Sequence, residues 1–125
     1  MLATTLQVAL GGAIGASARF LVGAGMARGF GTGGFPVAIL AVNVAGSFLM
    51  GVLVVLLGRM GLAHLTPFVL TGILGGFTTF SAFSLEAVTL WENGLAGQAA
   101  LYVGLSVILS ILALGAGLWL ARGIA

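Results

Sequence analysis

The sequence predicts an all-α integral membrane protein with four transmembrane helices, and three observations carry that prediction. Of 125 residues, 61% are hydrophobic and only 5% are charged. The mean hydropathy is +1.30. Charge-free windows recur at 1–18, 29–58, 65–85 and 93–121, and a helical span needs about 20 predominantly apolar residues. A water-soluble chain of this size would have too little polar surface. The whole chain, 1–125, reads as a single four-helix domain in a lipid bilayer.

Glycine and proline set the boundaries. The first helix is expected near 4–27. Its start, "MLATTLQVAL", lacks the basic n-region of a signal peptide and reads as a retained span. "ARGFGTGGFP" (27–36) is a glycine-rich turn leading to a second helix near 36–58. "GRMGLAHLTP" (58–67) connects to a third near 67–91, with Pro67 suited to the first turn of a helix. "WENGLAG" (91–97) leads to a fourth near 97–121. An even number of spans puts both termini on one side. The 22 glycines include two G-x-x-x-G pairs, Gly11/Gly15 and Gly72/Gly76, a spacing that lets membrane helices approach closely.

The charges are Arg19, Arg28, Arg59, Arg122, Glu86 and Glu92. An isoelectric point near 10.7 rests on these few groups. No basic run exists to track phosphates, so nucleic acid is not an expected partner. With no cysteine, disulfide and thiolate chemistry are excluded. Glu86, Glu92 and His64 show no metal-ligand spacing, and no serine sits in a nucleophile elbow, so the chain does not read as an enzyme. Arg59, Arg122 and His64 fall on the side of the termini, Arg28 on the other, with Arg19 within its reach. That balance is too even to fix an orientation. Two readings stand: a singly oriented protein with weak determinants, or one that inserts both ways and pairs with its inverted copy. Four helices enclose little alone, so an oligomer is expected.

The segment "TGILGGFTTFSAFSLE" (71–86) places two successive glycines, hydroxyls and phenyl rings inside a span. Each glycine lowers helix propensity by roughly 1 kcal/mol relative to alanine, so the third helix is expected to break at Gly75–Gly76. Backbone groups freed by a break need protein, water or an ion nearby. A simple kink and a carbonyl-lined cation site are equally compatible with the segment. Phe80 and Phe83 share a helix face, and their positive ring edges suit an anion. Asn43 and Ser47 lie four apart in the second span, where an amide either bonds a neighbouring helix or serves a solute. Tyr102, Ser106 and Ser110 make a polar stripe about 12 Å long on the fourth. Neutral donors and phenyl edges, with no carboxylate at a span centre, favour an anion path.

"GGAIGASAR" (11–19), "VNVAGSFLMG" (42–51) and "GGFTTFSAFSLE" (75–86) resemble the Fluc family of bacterial fluoride channels, also called CrcB. The resemblance spans all four helices, and its G-G-x-T-T-F-S-x-F-S-x-E run is highly specific. It implies a multi-pass protein of the bacterial inner membrane that exports fluoride passively and lowers cytoplasmic fluoride. It implies an antiparallel dual-topology homodimer with two pores and a structural Na⁺ at its centre. On this chain, the Na⁺ would be held by backbone carbonyls of Gly75 and Thr78. Asn43, Phe80, Phe83, Tyr102, Ser106 and Ser110 would line the fluoride pore, and Arg19 and Glu86 its mouths. Two departures are Ala38-Ile39, where the family often has Gly-Thr, and Ala82, where it often has Thr. The alternative is a small dual-topology exporter of multidrug or guanidinium type. Such proteins use a glutamate in the first span, and residues 1–18 contain no acid.

Overall fold

The computed structural model describes residues 1–31 and 34–124; Thr32 and Gly33 of the first turn lie outside the described residues. Among the described residues, four helical spans are long and apolar enough to cross a membrane. Helix α1 runs Leu2–Phe30 and α2 runs Val37–Arg59. The third span is composite. A short 3-10 turn, Ala63–Leu65, precedes a π-helical stretch, Pro67–Leu74, which passes into an α-helical turn, Gly75–Phe77; residues 67–77 are called α3 below. Two extended residues follow, and α4 is Phe80–Glu92. The last span, α5, is Ala96–Ile124. Beside the expected 4–27, 36–58, 67–91 and 97–121, the four spans end one to three residues later.

The break falls elsewhere than glycine propensity predicts. Gly75 is helical, with φ −62° and ψ −37°, and the backbone turns extended only at Thr78 (φ −86°, ψ 157°) and Thr79 (φ −152°, ψ 124°). Gly76 serves packing instead. A Cβ there would lie 2.7 Å from the Gly12 carbonyl oxygen and 3.2 Å from the Ala16 nitrogen. Gly11 and Gly15 seat α1 in the same way against the backbone of Phe68, Gly72, Ile73 and Phe77. Tertiary contact between two glycine-lined backbones at Gly72 and Gly76 supports the helical form of this segment against local propensity.

Helices α2 and α5 form the second tight pair. A Cβ on Gly51 would meet the Leu114 carbonyl, and one on Gly117 the Phe48 carbonyl. Arg59 Nη1 donates to the Arg122 carbonyl at 3.1 Å, tying the ends of the two helices. Arginine suits that position, because helix C-termini leave carbonyls unpaired and partly negative. The apolar core sits in two clusters, one on each side of the break. One gathers Phe83, Leu90, Ala99 and Tyr102 with Phe35 and Ile39; the other gathers Leu57, Leu70 and Leu74 with Met50 and Leu53.

Candidate functional site

The break is held by side chains that stand in for lost helical hydrogen bonds. The Thr79 N–H donates to Asn43 Oδ1 at 2.8 Å, and Asn43 Nδ2 donates to the Thr79 carbonyl at 3.0 Å. One amide on α2 thereby pairs both backbone groups of one residue in the third span. Thr79 Oγ1 accepts from the Ala82 N–H at 3.1 Å and caps α4. Thr78 Oγ1 donates to the Leu74 carbonyl at 2.9 Å, beside the Thr78 N–H at 3.0 Å. Arg19 Nε reaches from α1 to the Gly76 carbonyl at 3.2 Å. Unpaired backbone groups in lipid cost several kcal/mol, so this set of bonds is what lets a span stay broken.

An open cavity of about 410 Å³ lies against the break. Its walls are Asn43 and Ser47 of α2, Thr78 and Thr79, Phe80 and Phe83 of α4, and Ser106 and Ser110 of α5. Five of the six residues assigned to the path therefore meet around one space. Tyr102, the sixth, lies one turn further along α5 and packs on Phe83, ring centroids 5.3 Å apart. Phe80 and Phe83 are 5.3 Å apart at 49°, and Phe35 meets Tyr102 edge-on at 5.6 Å and 87°. The two phenylalanines differ in setting: Phe83 is 8% exposed and Phe80 is 77% exposed, on the open side of the cavity. The hydroxyls of Tyr102, Ser106 and Ser110 are buried, and none has a hydrogen-bond partner among the described residues. Buried hydroxyls are nearly always paired, so three in a row with no partner among the described residues set this stripe apart from the rest of the core.

Comparison with known proteins gives this arrangement its relatives. The family model for CrcB-like protein, Camphor Resistance (CrcB), matches residues 6–118. The chain belongs to the CrcB family. It is 65% identical over 124 residues to a fluoride-specific ion channel FluC of Ruegeria sp. (strain TM1040), covering 99% of this chain and 98% of that one. Identity is 62% over 120 residues to a protein of the same name from Roseobacter denitrificans, covering 95% of each chain. It is 54% over 121 residues to one from Paracoccus denitrificans, covering 97% and 96%.

The remaining residues picked out by the CrcB resemblance lie around this centre. Glu86 lines a second cavity of about 290 Å³ with Ala38 and Ile39, next to the connection between α1 and α2. Ile39, at the first departure from the family pattern, also packs on the cluster of Phe83 and Tyr102. Ala82, at the second, contributes its N–H to the cap of α4. Arg19 lies against the break and bonds it. The carbonyls of Gly75 and Thr78 can be tested as cation ligands. The Thr79 N–H, which a continuous helix would give to Gly75, goes to Asn43. The Ala82 N–H, which it would give to Thr78, goes to Thr79 Oγ1. Both carbonyls lose their helical partners, and among the described residues a Cβ on Gly75 would find only the Leu70 carbonyl, at 3.7 Å. Hard cations take oxygen ligands of this kind, so the residues fit Na⁺. Sequence reasoning missed the Asn43–Thr79 pairing, Met50 and Leu114 on the cavity wall, and the contact of Phe35 with Tyr102.

Proposed function

We propose that the chain is a fluoride channel of the bacterial inner membrane, passing fluoride down its gradient and lowering it in the cytoplasm. The observation that carries this is the cavity at the break, where Asn43, two phenyl rings and a stripe of unpaired hydroxyls converge without a fixed charge in the wall. Fluoride is small and tightly hydrated. Its entry requires several donors that replace water together, yet hold it weakly enough to release it. The Ser106 and Ser110 hydroxyls have their hydrogens to give. The ring edges of Phe80 and Phe83 present partial positive charge. Asn43 spends one N–H on Thr79 and keeps the second. Relatives at 54–65% identity carry the name of fluoride-specific channels, which supports this choice of anion.

The functional unit in this reading is an antiparallel dual-topology homodimer with two pores. Two features support it: the cavity is open on the side of Phe80, and the arginines give no net orientation. A second, inverted copy would close that side. A central Na⁺, when bound, would supply a fixed charge joining the two breaks through the Gly75 and Thr78 carbonyls. Two lysines added to the connection at 60–66 should bias insertion and abolish flux, and an oppositely biased copy should restore it. The main test is anion efflux from liposomes containing only this protein. Fluoride should leave while chloride is retained; equal loss of both, or of neither, would overturn the reading.

A further inference from the structure

Arg19 is a charged residue inside the first span, and its bond to the break gives it a role besides charge. It continues the stripe Gly11, Gly15, Arg19 at spacings of four, so all three lie on one face of α1. The two glycines bring that face onto the backbone of α3. One turn on, where α3 ends at Phe77, Arg19 Nε donates to the Gly76 carbonyl. The C-terminus of a helix leaves its last four carbonyls without amide partners and carries partial negative charge. In α3 those are Gly75, Gly76, Phe77 and the capping residue Thr78, while Leu74 keeps the Thr78 N–H as its amide partner. The Thr78 hydroxyl adds a second bond to the Leu74 carbonyl, and Arg19 covers the carbonyl of Gly76.

We infer that Arg19 is a positioning residue: it caps the half-helix α3 from the neighbouring span and fixes the register of the break. Through the break it places Thr78, Thr79 and Phe80 on the cavity wall. The pairing also leaves Gly75, between the two capped carbonyls, as the one whose amide partner has been drawn away by Asn43. The half-helix thus ends with a set pattern of covered and uncovered oxygens. The effect on flux rests on the fluoride reading above; the effect on the break does not.

The test uses the full-length protein in lipid nanodiscs and liposomes, with Arg19→Lys, Arg19→Gln and Arg19→Met. Amide exchange is followed in peptides covering 71–83, with α5 as reference. Initial fluoride efflux is measured across fluoride concentrations at low and high ionic strength. Losing the cap should raise exchange at 71–83 by about 10-fold in Arg19→Met, with α5 unchanged. Maximal flux should fall while the half-saturating fluoride concentration stays put. Arg19→Lys should restore both, and Arg19→Gln should fall between. Attraction of fluoride by charge alone predicts the opposite split. Gln and Met would then raise the half-saturating concentration equally, high salt would mask the change, and exchange at the break would match wild type; that result overturns the inference. Should Arg19→Met fail to fold, Lys against Gln decides in the same way. Should the wild type pass no fluoride, the channel reading falls, and exchange alone still decides the role of Arg19.

Discussion

The break in the third span and the hydroxyl stripe on α5 are both polar and both embedded in apolar helices, yet they are treated in opposite ways. At the break, Thr79 is paired through its N–H, its carbonyl and its hydroxyl, and the Leu74 and Gly76 carbonyls have named donors. On the stripe, Tyr102, Ser106 and Ser110 are buried with no partner among the described residues. A buried unpaired hydroxyl costs about 1–3 kcal/mol. Among the described residues, no hydrogen bond from these three hydroxyls offsets that cost. The contrast separates polarity that holds the protein together from polarity kept free for a solute. Substitutions at residues that support the break should therefore cost folding, and removal of the stripe's hydroxyls should cost transport alone.

The largest effect is expected where α1 meets α3. A Cβ at Gly15 would run into the Ile73 carbonyl and lie 2.7 Å from the Phe77 nitrogen, and neither atom is a flexible side-chain end. Gly15→Val should prevent recovery of folded protein, because overpacking costs about 1–3 kcal/mol even where side chains can shift, and here the backbone would have to. Gly23, where a Cβ meets nothing within 4 Å among the described residues, is the control. Size-exclusion profiles of Gly15→Val and Gly23→Val read the difference, and a normal profile for Gly15→Val would show that the two backbones are not in tight contact.

The ring edges come next, and their settings separate two effects. Phe83 is packed on Tyr102, so Phe83→Ile should lower both stability and flux. Phe80 is largely exposed within its own protomer, and isoleucine keeps its apolar bulk, so Phe80→Ile should change unfolding less than Phe83→Ile while fluoride efflux falls by about 100-fold. Wild-type efflux from folded Phe80→Ile would reduce the ring to packing. Asn43→Leu follows at roughly 10- to 100-fold, with a lowered unfolding temperature, because both backbone groups of Thr79 lose their partner. Asn43→Asp sharpens the point. It keeps the acceptor for the Thr79 N–H, so stability should partly return, while a negative charge in the wall should abolish anion flux.

How much of this was legible in the sequence follows from the range of each interaction. Spans are a matter of local hydropathy, and all four could be read from windows of about 20 residues. The stripe of Tyr102, Ser106 and Ser110 could be read from a spacing of four within one helix. The position of the break could not. Gly75 and Gly76 are poor helix formers, and both are helical in a segment where Gly12 and Ala16 pack on Gly76 from another span. The bonds that hold the break join residues 36 and 57 apart in sequence. Asn43 was singled out by its rarity in a span, but nothing local says that its amide pairs with Thr79. The π-helical form of Pro67–Leu74 likewise has no local signature.

The smallest effect tests the free half of the comparison. Ser106→Ala removes a buried hydroxyl that bonds nothing among the described residues, so no protein group is orphaned by its loss. Unfolding temperature should be unchanged or slightly raised, since an unpaired polar atom leaves the interior. Fluoride efflux should fall only about 5-fold, near the lower end of the loss of one donor, because Ser110, one turn along α5, and water can take its place. Combining Ser106→Ala with Ser110→Ala removes that substitute, and the loss should exceed the product of the single effects. The opposite outcome for Ser106→Ala, a drop in stability with flux intact, would mean that its hydroxyl holds the dimer rather than the ion, and that the stripe belongs with the break as structural polarity.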